Sequence, residues 1–295
     1  MSEILDVVLR IALQVFVLGS MLNVGLGQKP SQIAHHLRKR RFLTRMLMIN
    51  LVAVPGIMTY LIMLFQPTEE YAAALLLLGL CAGAPFLIKL ADTAAEDLAL
   101  AASVMLVLVA GTVIEVPLVL PRLVAGLEVD GLEIARSLTL QLVVPILIDM
   151  VLQKLLGETA QKARPWIARL ANIALYVLLA LTILTNLDAL TDLQLWKAAA
   201  IGVGALLLAF LIGYMMGDDE SHLKDVGGLA TAQLGTAAAI IVASQNFSDE
   251  RVFVFINVLN ALNMVLLVAA AKAMDPDNDF LPLGWSKEQA DAERR

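Results

Sequence analysis

Lys89 stands inside an otherwise apolar stretch running from Leu75 to Ala91. A charge within a membrane span costs roughly 2.5–3.5 kcal/mol on insertion scales, so it ordinarily faces a cavity and a partner. Gly83 and Pro85 interrupt the same stretch, and the proline both lacks a backbone donor and clashes with the preceding turn. A broken span leaves backbone carbonyls unpaired, and these can accept protons from an ammonium. Two readings of Lys89 follow. In one it is a built-in cation near the break, able to lose its proton in a low-dielectric site. In the other it snorkels to the interface and pairs with Asp92 or Glu96.

Other polar residues fall inside apolar runs. A second cluster of small residues, Ala230 to Ala239 around Gly235, predicts another interruption, flanked by Thr236, Gln245 and Asn246. Asn257, Asn260 and Asn263 recur at i, i+3 and i+6, which places them on one broad helical face. They can hydrogen-bond neighbouring helices, worth roughly 0.6–2 kcal/mol each, or contact a ligand. Glu115, ahead of Pro117 and Pro121, reads either as a proton-carrying carboxylate or as an interfacial one near the outer face. Asp149, after Pro145, is expected to be solvated near the cytoplasm. His35, His36 and His222 lie in loops without carboxylates at metal-site spacing. Nor is there a phosphate-cradling glycine loop. The reading is therefore no enzyme, no cofactor and no metal site, with any active transport driven by a gradient.

The elements that hold these residues are membrane helices. The chain has 295 residues, 59% hydrophobic and only 16% charged, with a mean hydropathy of +0.80. A soluble domain carries about 25% charged residues. Taking about 20 apolar residues per crossing, the sequence predicts about nine spans. They are Ile4–Leu26, Phe42–Phe65, Ala72–Leu90, Leu98–Val119, Ala135–Leu156, Trp166–Leu187, Trp196–Met216, Val226–Ser244 and Val252–Met274. Asp6, Arg10 and Gln14 interrupt the first run, so it reads as a span and not a cleaved leader. The single cysteine, Cys81, reads as a buried small residue. No strands are expected.

Lys and Arg gather in the first loop, at Lys29, Arg38, Lys39, Arg40, Arg41 and Arg45, and near Lys154 to Arg169. The basic side faces the cytoplasm, which puts the N-terminus outside and the C-terminus inside. The cluster Arg38–Arg41 then sets topology against anionic membrane lipid, and no nucleic-acid partner is expected. Residues 1–274 form a single polytopic membrane domain, and 275–295 a polar cytoplasmic tail. Within the domain a repeat is visible. Asp97 follows Gly83 by 14 residues, and Asp249 follows Gly235 by the same 14. The repeats run over about 1–121 and 135–274 and lie inverted in the membrane, a pattern of secondary transporters.

With these elements in order the chain resembles the bile acid:sodium symporter family, within the bile acid/arsenite transporter superfamily. The likeness is carried by Val17 to Leu26, Asn50 to Pro55, Leu80 to Pro85 at the family's Pro-Gly-Gly break, Glu96 to Ala101 at its Gly-Asp-x-Ala-Leu-Ser helix start, Val143 to Ile146, and Gln233-Leu234-Gly235 at its Glu-x-Gly. The resemblance implies an all-α inverted-repeat fold. Panel and core domains move against each other, and two broken helices, the third and eighth spans, cross in the core. With nine spans expected against the family's ten, the resemblance implies that the family's first helix has no counterpart among them. It also implies sodium sites, and there the chain departs. Leu87 and Ile88 replace a Ser-Asn pair, Ala101 and Met105 a Ser and a Thr, and Ala237 and Ala238 a Gln-Asn pair. Hard cations need oxygen ligands. Of the polar set only Asn50 and Gln233 persist.

The expected function is a bacterial inner-membrane carrier that moves a small organic anion by alternating access. Its sodium sites are degenerate and Lys89 is a route for proton coupling. The expected binding residues are Lys89, Asn50, Gln233, Thr236, Asn260 and Asn263, around breaks at Gly83, Pro85 and Gly235. The alternative is a non-transporting sensor or assembly protein that keeps the scaffold; a wholly apolar core at both breaks is what that alternative predicts. Oligomeric state is not legible.

Overall fold

The computed structural model describes residues 3–25, 30–123, 130–156, 158–217, 220–247 and 249–275. The tail expected over 275–295 lies, beyond Asp275, outside the described residues, as do residues 26–29 of the basic loop. In chain order the helices are α1 (Glu3–Gly25), α2 (Pro30–His36), α3 (Arg40–Met48), α4 (Val54–Phe65), α5 (Glu69–Leu80), α6 (Phe86–Thr93), α7 (Leu98–Leu123) and α8 (Gly131–Leu138). They continue with α9 (Val144–Leu156), α10 (Glu158–Thr185), α11 (Leu187–Leu190), α12 (Leu193–Met216), α13 (Ser221–Ala232), α14 (Thr236–Asn246) and α15 (Glu250–Met274). Among the described residues six helical stretches are long and apolar enough to cross a membrane: Arg40–Phe65, Leu98–Leu123, Gly131–Leu155, Lys162–Thr182, Leu193–Met216 and Glu250–Met274.

Several helices run past the apolar segments that signal them, because their caps lie in the polar flanks. Asp249 accepts from the Arg251 N–H at 2.9 Å, Asp192 from Gln194 at 2.8 Å and Asp130 from Leu132 at 2.9 Å. Each fills one of the orphan donors of a first turn. Two short π-helical segments, Ile49–Ala53 and Thr139–Val143, join α3 to α4 and α8 to α9. Sequence periodicity does not announce them, but proline explains both. Pro55 and Pro145 clash with the carbonyls four residues earlier, those of Leu51 and Gln141, and an extra residue in the turn relieves the clash.

The centre of the molecule is built from helices buried on every side. In α5, Ala74 to Leu80 are all buried, and in α14 so are Thr236 to Ala243. A helix apolar all round is stable only where neighbours cover it. By contrast Met63, Leu64 and Phe65 on α4, Tyr176 on α10 and Leu207, Leu211 and Met215 on α12 are exposed, as lipid-facing side chains are.

Polar contacts collect at two ends. At one, His36 Nε2 lies 3.0 Å from Asp97 Oδ2, Lys39 Nζ 3.1 Å from Glu220 Oε2, and His222 Nε2 3.0 Å from the same Glu220 oxygen. At the other, Arg251 donates to Glu70 at 2.6 Å and the Tyr71 hydroxyl to Asp192 at 2.8 Å. The stretch from α3 to α4 runs from the first end to the second, and α5 with α6 runs back.

Candidate functional site

Two interruptions meet at the centre. α5 stops at Leu80 because Cys81 is extended (φ −95°, ψ 107°), and α6 restarts at Phe86 after Pro85. α13 stops at Ala232 with Gln233 extended (φ −81°, ψ 104°), and α14 restarts at Thr236. The extended residues pair: Ala82 and Leu234 form an antiparallel bridge, and the Gly235 N–H donates to the Cys81 carbonyl at 2.8 Å. Glycine is required at Gly83, where φ is +77° and a Cβ would stand 2.7 Å from the Val109 backbone nitrogen.

Each break needs partners for the backbone groups that leave the helical ladder. The Thr112 hydroxyl on α7 serves the first, accepting from the Ala82 N–H at 2.8 Å and donating to the Ala82 carbonyl at 2.9 Å. Asn263 on α15 serves the second, donating to the Ala232 carbonyl at 3.1 Å. Thr236 donates to Asn260 Oδ1 at 2.7 Å, tying the start of α14 to α15. Gln233 is 3% exposed; its Nε2 donates to the Leu234 carbonyl at 3.3 Å, while Oε1 is buried with no partner among the described residues.

Of the expected binding residues, Gln233, Thr236, Asn260 and Asn263 thus converge on the second break. Asn50 stands one step away. It donates to the Met46 carbonyl at 2.9 Å and lies 3.4 Å from the Thr231 hydroxyl on α13, so its amide braces the π segment against the second broken helix. Lys89 is not with them, which corrects the expectation of a core cation. Its side chain is 66% exposed and its ammonium lies 3.2 Å from Asp92 on the same short helix. Asp149 is also corrected: it is fully buried on α9, not solvated. Glu115 is 9% exposed. Sequence reasoning missed Thr112 and Thr231. A hydroxyl in an apolar helix is a weak signal, and only the fold places Thr112 against a break 30 residues earlier.

A sequence model of the sodium bile acid symporter family matches residues 13–193. The chain belongs to that family. The matched stretch holds the first break and Thr112; the second break and α15 lie beyond it, so their likeness to the family rests on Gln233-Leu234-Gly235 and on the paired geometry. A comparison with curated proteins gave no match.

The sodium that the family's description implies does not fit the side chains at the six positions where the resemblance places its ligands. Leu87 (1% exposed), Ile88 (8%), Ala101 (0%), Met105 (0%), Ala237 (4%) and Ala238 (3%) are buried in the apolar core. None carries an oxygen on its side chain, and a hard cation takes oxygen ligands.

Proposed function

We propose that the chain is a secondary carrier for a small organic anion that works by alternating access without sodium at the family's sites. The observation that carries this reading is the survival of both breaks together with their dedicated partners. A continuous helix satisfies its own backbone, so an interruption kept inside a membrane is ordinarily kept for a cavity or a ligand. Here Thr112, Asn263 and the Thr236–Asn260 pair hold the interruptions open as backbone, and Gln233 Oε1 remains a buried acceptor awaiting a donor. The binding residues proposed are Gln233, Thr236, Asn260 and Asn263, with Asn50 behind them.

The six long apolar stretches, the helix α1 and the two broken helices together support nine passages. The matched pairs Gly83–Asp97 and Gly235–Asp249 support inverted repeats, with Asp97 and Asp249 capping α7 and α15 alike. The repeats would span about 1–121 and 135–274 of one membrane domain. Basic residues at the His36–Lys39 end support a cytoplasmic placement for that end and an N-terminus outside, in a bacterial inner membrane. A cysteine introduced at position 2 that labels only from the cytoplasmic side would overturn this orientation.

A second reading is favoured by one observation, the apolar packing at all six positions where the resemblance implies ligands: a membrane sensor or assembly protein that keeps the scaffold. A thermal-shift screen of the purified protein against organic acids, at two pH values, separates them. A bound anion stabilises the native state by mass action, by about 2.7 kcal/mol at 100 times its Kd. The carrier reading expects at least one acid to raise the midpoint and the asparagine variants Asn260→Ala and Asn263→Ala to weaken that rise. No stabilisation by any acid supports the scaffold reading.

A further inference from the structure

α7 carries a carboxylate that the carrier reading leaves unused. Glu115 is 9% exposed, and its Oε2 is buried with no hydrogen-bond partner among the described residues. It follows Thr112 by three positions, so the carboxylate and the hydroxyl that holds Ala82 share a face of the helix. That face looks onto the first break. Cys81, next to Ala82 in that break, is buried.

Among the described residues no cation is paired with Glu115: Arg122, seven positions on along α7, donates to the Leu118 carbonyl. Of the elements packed on α7, the break after α5 presents Cys81. Glu70 at the start of α5 is engaged by Arg251, and Glu133 and Arg136 on α8 are exposed. The charged side chains of α2, α3, α6 and α13 collect around the start of α7, where His36 meets Asp97, ~27 Å along the axis from Glu115 at 1.5 Å per residue. An ionised carboxylate enclosed without a donor is costly, and a proton removes the cost. Just beyond it Pro117 and Pro121 leave α7 short of backbone bonds, which marks this end of the helix as the place where it can bend.

We propose that Glu115 is the proton-binding group of the transport cycle, holding its proton while enclosed beside the first break and releasing it to water when the break and α7 part. The inference rests on the carrier reading. The step is a plain transfer: the carboxyl O–H bond breaks, the proton passes to an entering water, and α7 gains one negative charge.

Two measurements test it. Dicyclohexylcarbodiimide partitions into apolar regions and adds to protonated carboxyls there; peptide mass mapping locates the adduct. In the wild-type protein Glu115 is expected to be modified, with labelling falling about tenfold per pH unit above the midpoint. The second measurement is the rate at which Cys81, the single cysteine, reacts with a membrane-permeant maleimide over the same pH range, in the wild type and in Glu115→Gln. The ratio of the two rates removes the thiol's own titration. It is expected to rise severalfold towards alkaline pH, because the ionised carboxylate opens the break and glutamine cannot ionise. A nearby negative charge alone suppresses the thiolate and would lower the ratio. An unmodified Glu115 at every pH overturns the proposal, and so does a flat or falling ratio. The carbodiimide measurement uses the wild type, so poor folding of Glu115→Gln does not protect the idea. Success of both measurements with no organic acid stabilising the protein would retain the proton site and sink the carrier reading.

Discussion

Thr112 does for the first break what Asn263 does for the second. One hydroxyl closes both the N–H and the carbonyl of Ala82, and losing it strands two buried groups. Thr112→Val keeps the shape and removes the hydroxyl. It is expected to cost about 1–3 kcal/mol, the range for a buried group left unsatisfied, whereas Thr112→Ser should recover most of that; thermal midpoints of the purified variants are the check. Lys89 gives the opposite expectation. Its ammonium meets Asp92 at the surface, with side chains 66% and 56% exposed. Exposed pairs contribute about 0–1 kcal/mol, so Lys89→Ala should shift stability by no more than about 0.5 kcal/mol. A loss of several kcal/mol would mean that the lysine serves the core after all.

The same two residues show what a sequence can and cannot reveal at this scale. Lys89 is legible as an anomaly because a charge in an apolar run is rare. Its direction is not legible, since α6 has only eight residues and every position lies within two turns of an end. Ile88 and Leu90 on either side are buried, so one step around a short helix separates core from water. Thr112 is illegible for another reason: its partner is set by how α7 lies against the break, a tertiary fact with no local pattern. Gly83 and Pro85 are the readable case, because their effect on the backbone is local and follows from residue type alone.

At the scale of elements, the caps and the cross-links at the helix ends carry the argument. Asp192 caps α12 and also accepts the Tyr71 hydroxyl from α5, so one carboxylate fixes the angle between two core helices. The backbone N–H of Gln194 first, and then the Tyr71 hydroxyl, hold its carboxyl below the ordinary value of 3.8. The sign follows: a carboxylate with a lowered native value contributes stability above its unfolded value, and that contribution is lost as pH falls through the native one. Tyr71→Phe should therefore lower the midpoint at neutral pH and lessen the loss of stability on acidification. Melting curves from neutral to acid pH read both effects. Equal acid sensitivity in the two proteins would show that the hydroxyl does not act through Asp192. The breaks themselves were readable as elements because small residues and proline interrupt otherwise uniform runs. The π segments before Pro55 and Pro145 were not, because widening a turn by one residue leaves the composition unchanged.

At the scale of the whole molecule, two observations pull in different directions. The family match and the paired breaks describe a carrier scaffold, and the six apolar side chains at Leu87, Ile88, Ala101, Met105, Ala237 and Ala238 describe packing at the positions where the resemblance implies ion ligands. Both are consistent if the crossing is held by packing and hydrogen bonds without an ion. The helical class and membrane character were readable from hydropathy alone. The common spacing of 14 residues to an acidic cap made the repeat readable, but the meeting of the two interruptions was only what the resemblance implied, since the Ala82–Leu234 bridge joins segments from opposite halves of the chain. The most direct test of this account is the thermal midpoint of the purified protein in sodium chloride and in potassium chloride at equal ionic strength, with and without a stabilising organic acid. The account predicts the same midpoint in both salts and the same ligand-induced rise. A midpoint or ligand affinity raised by sodium and not by potassium would contradict it.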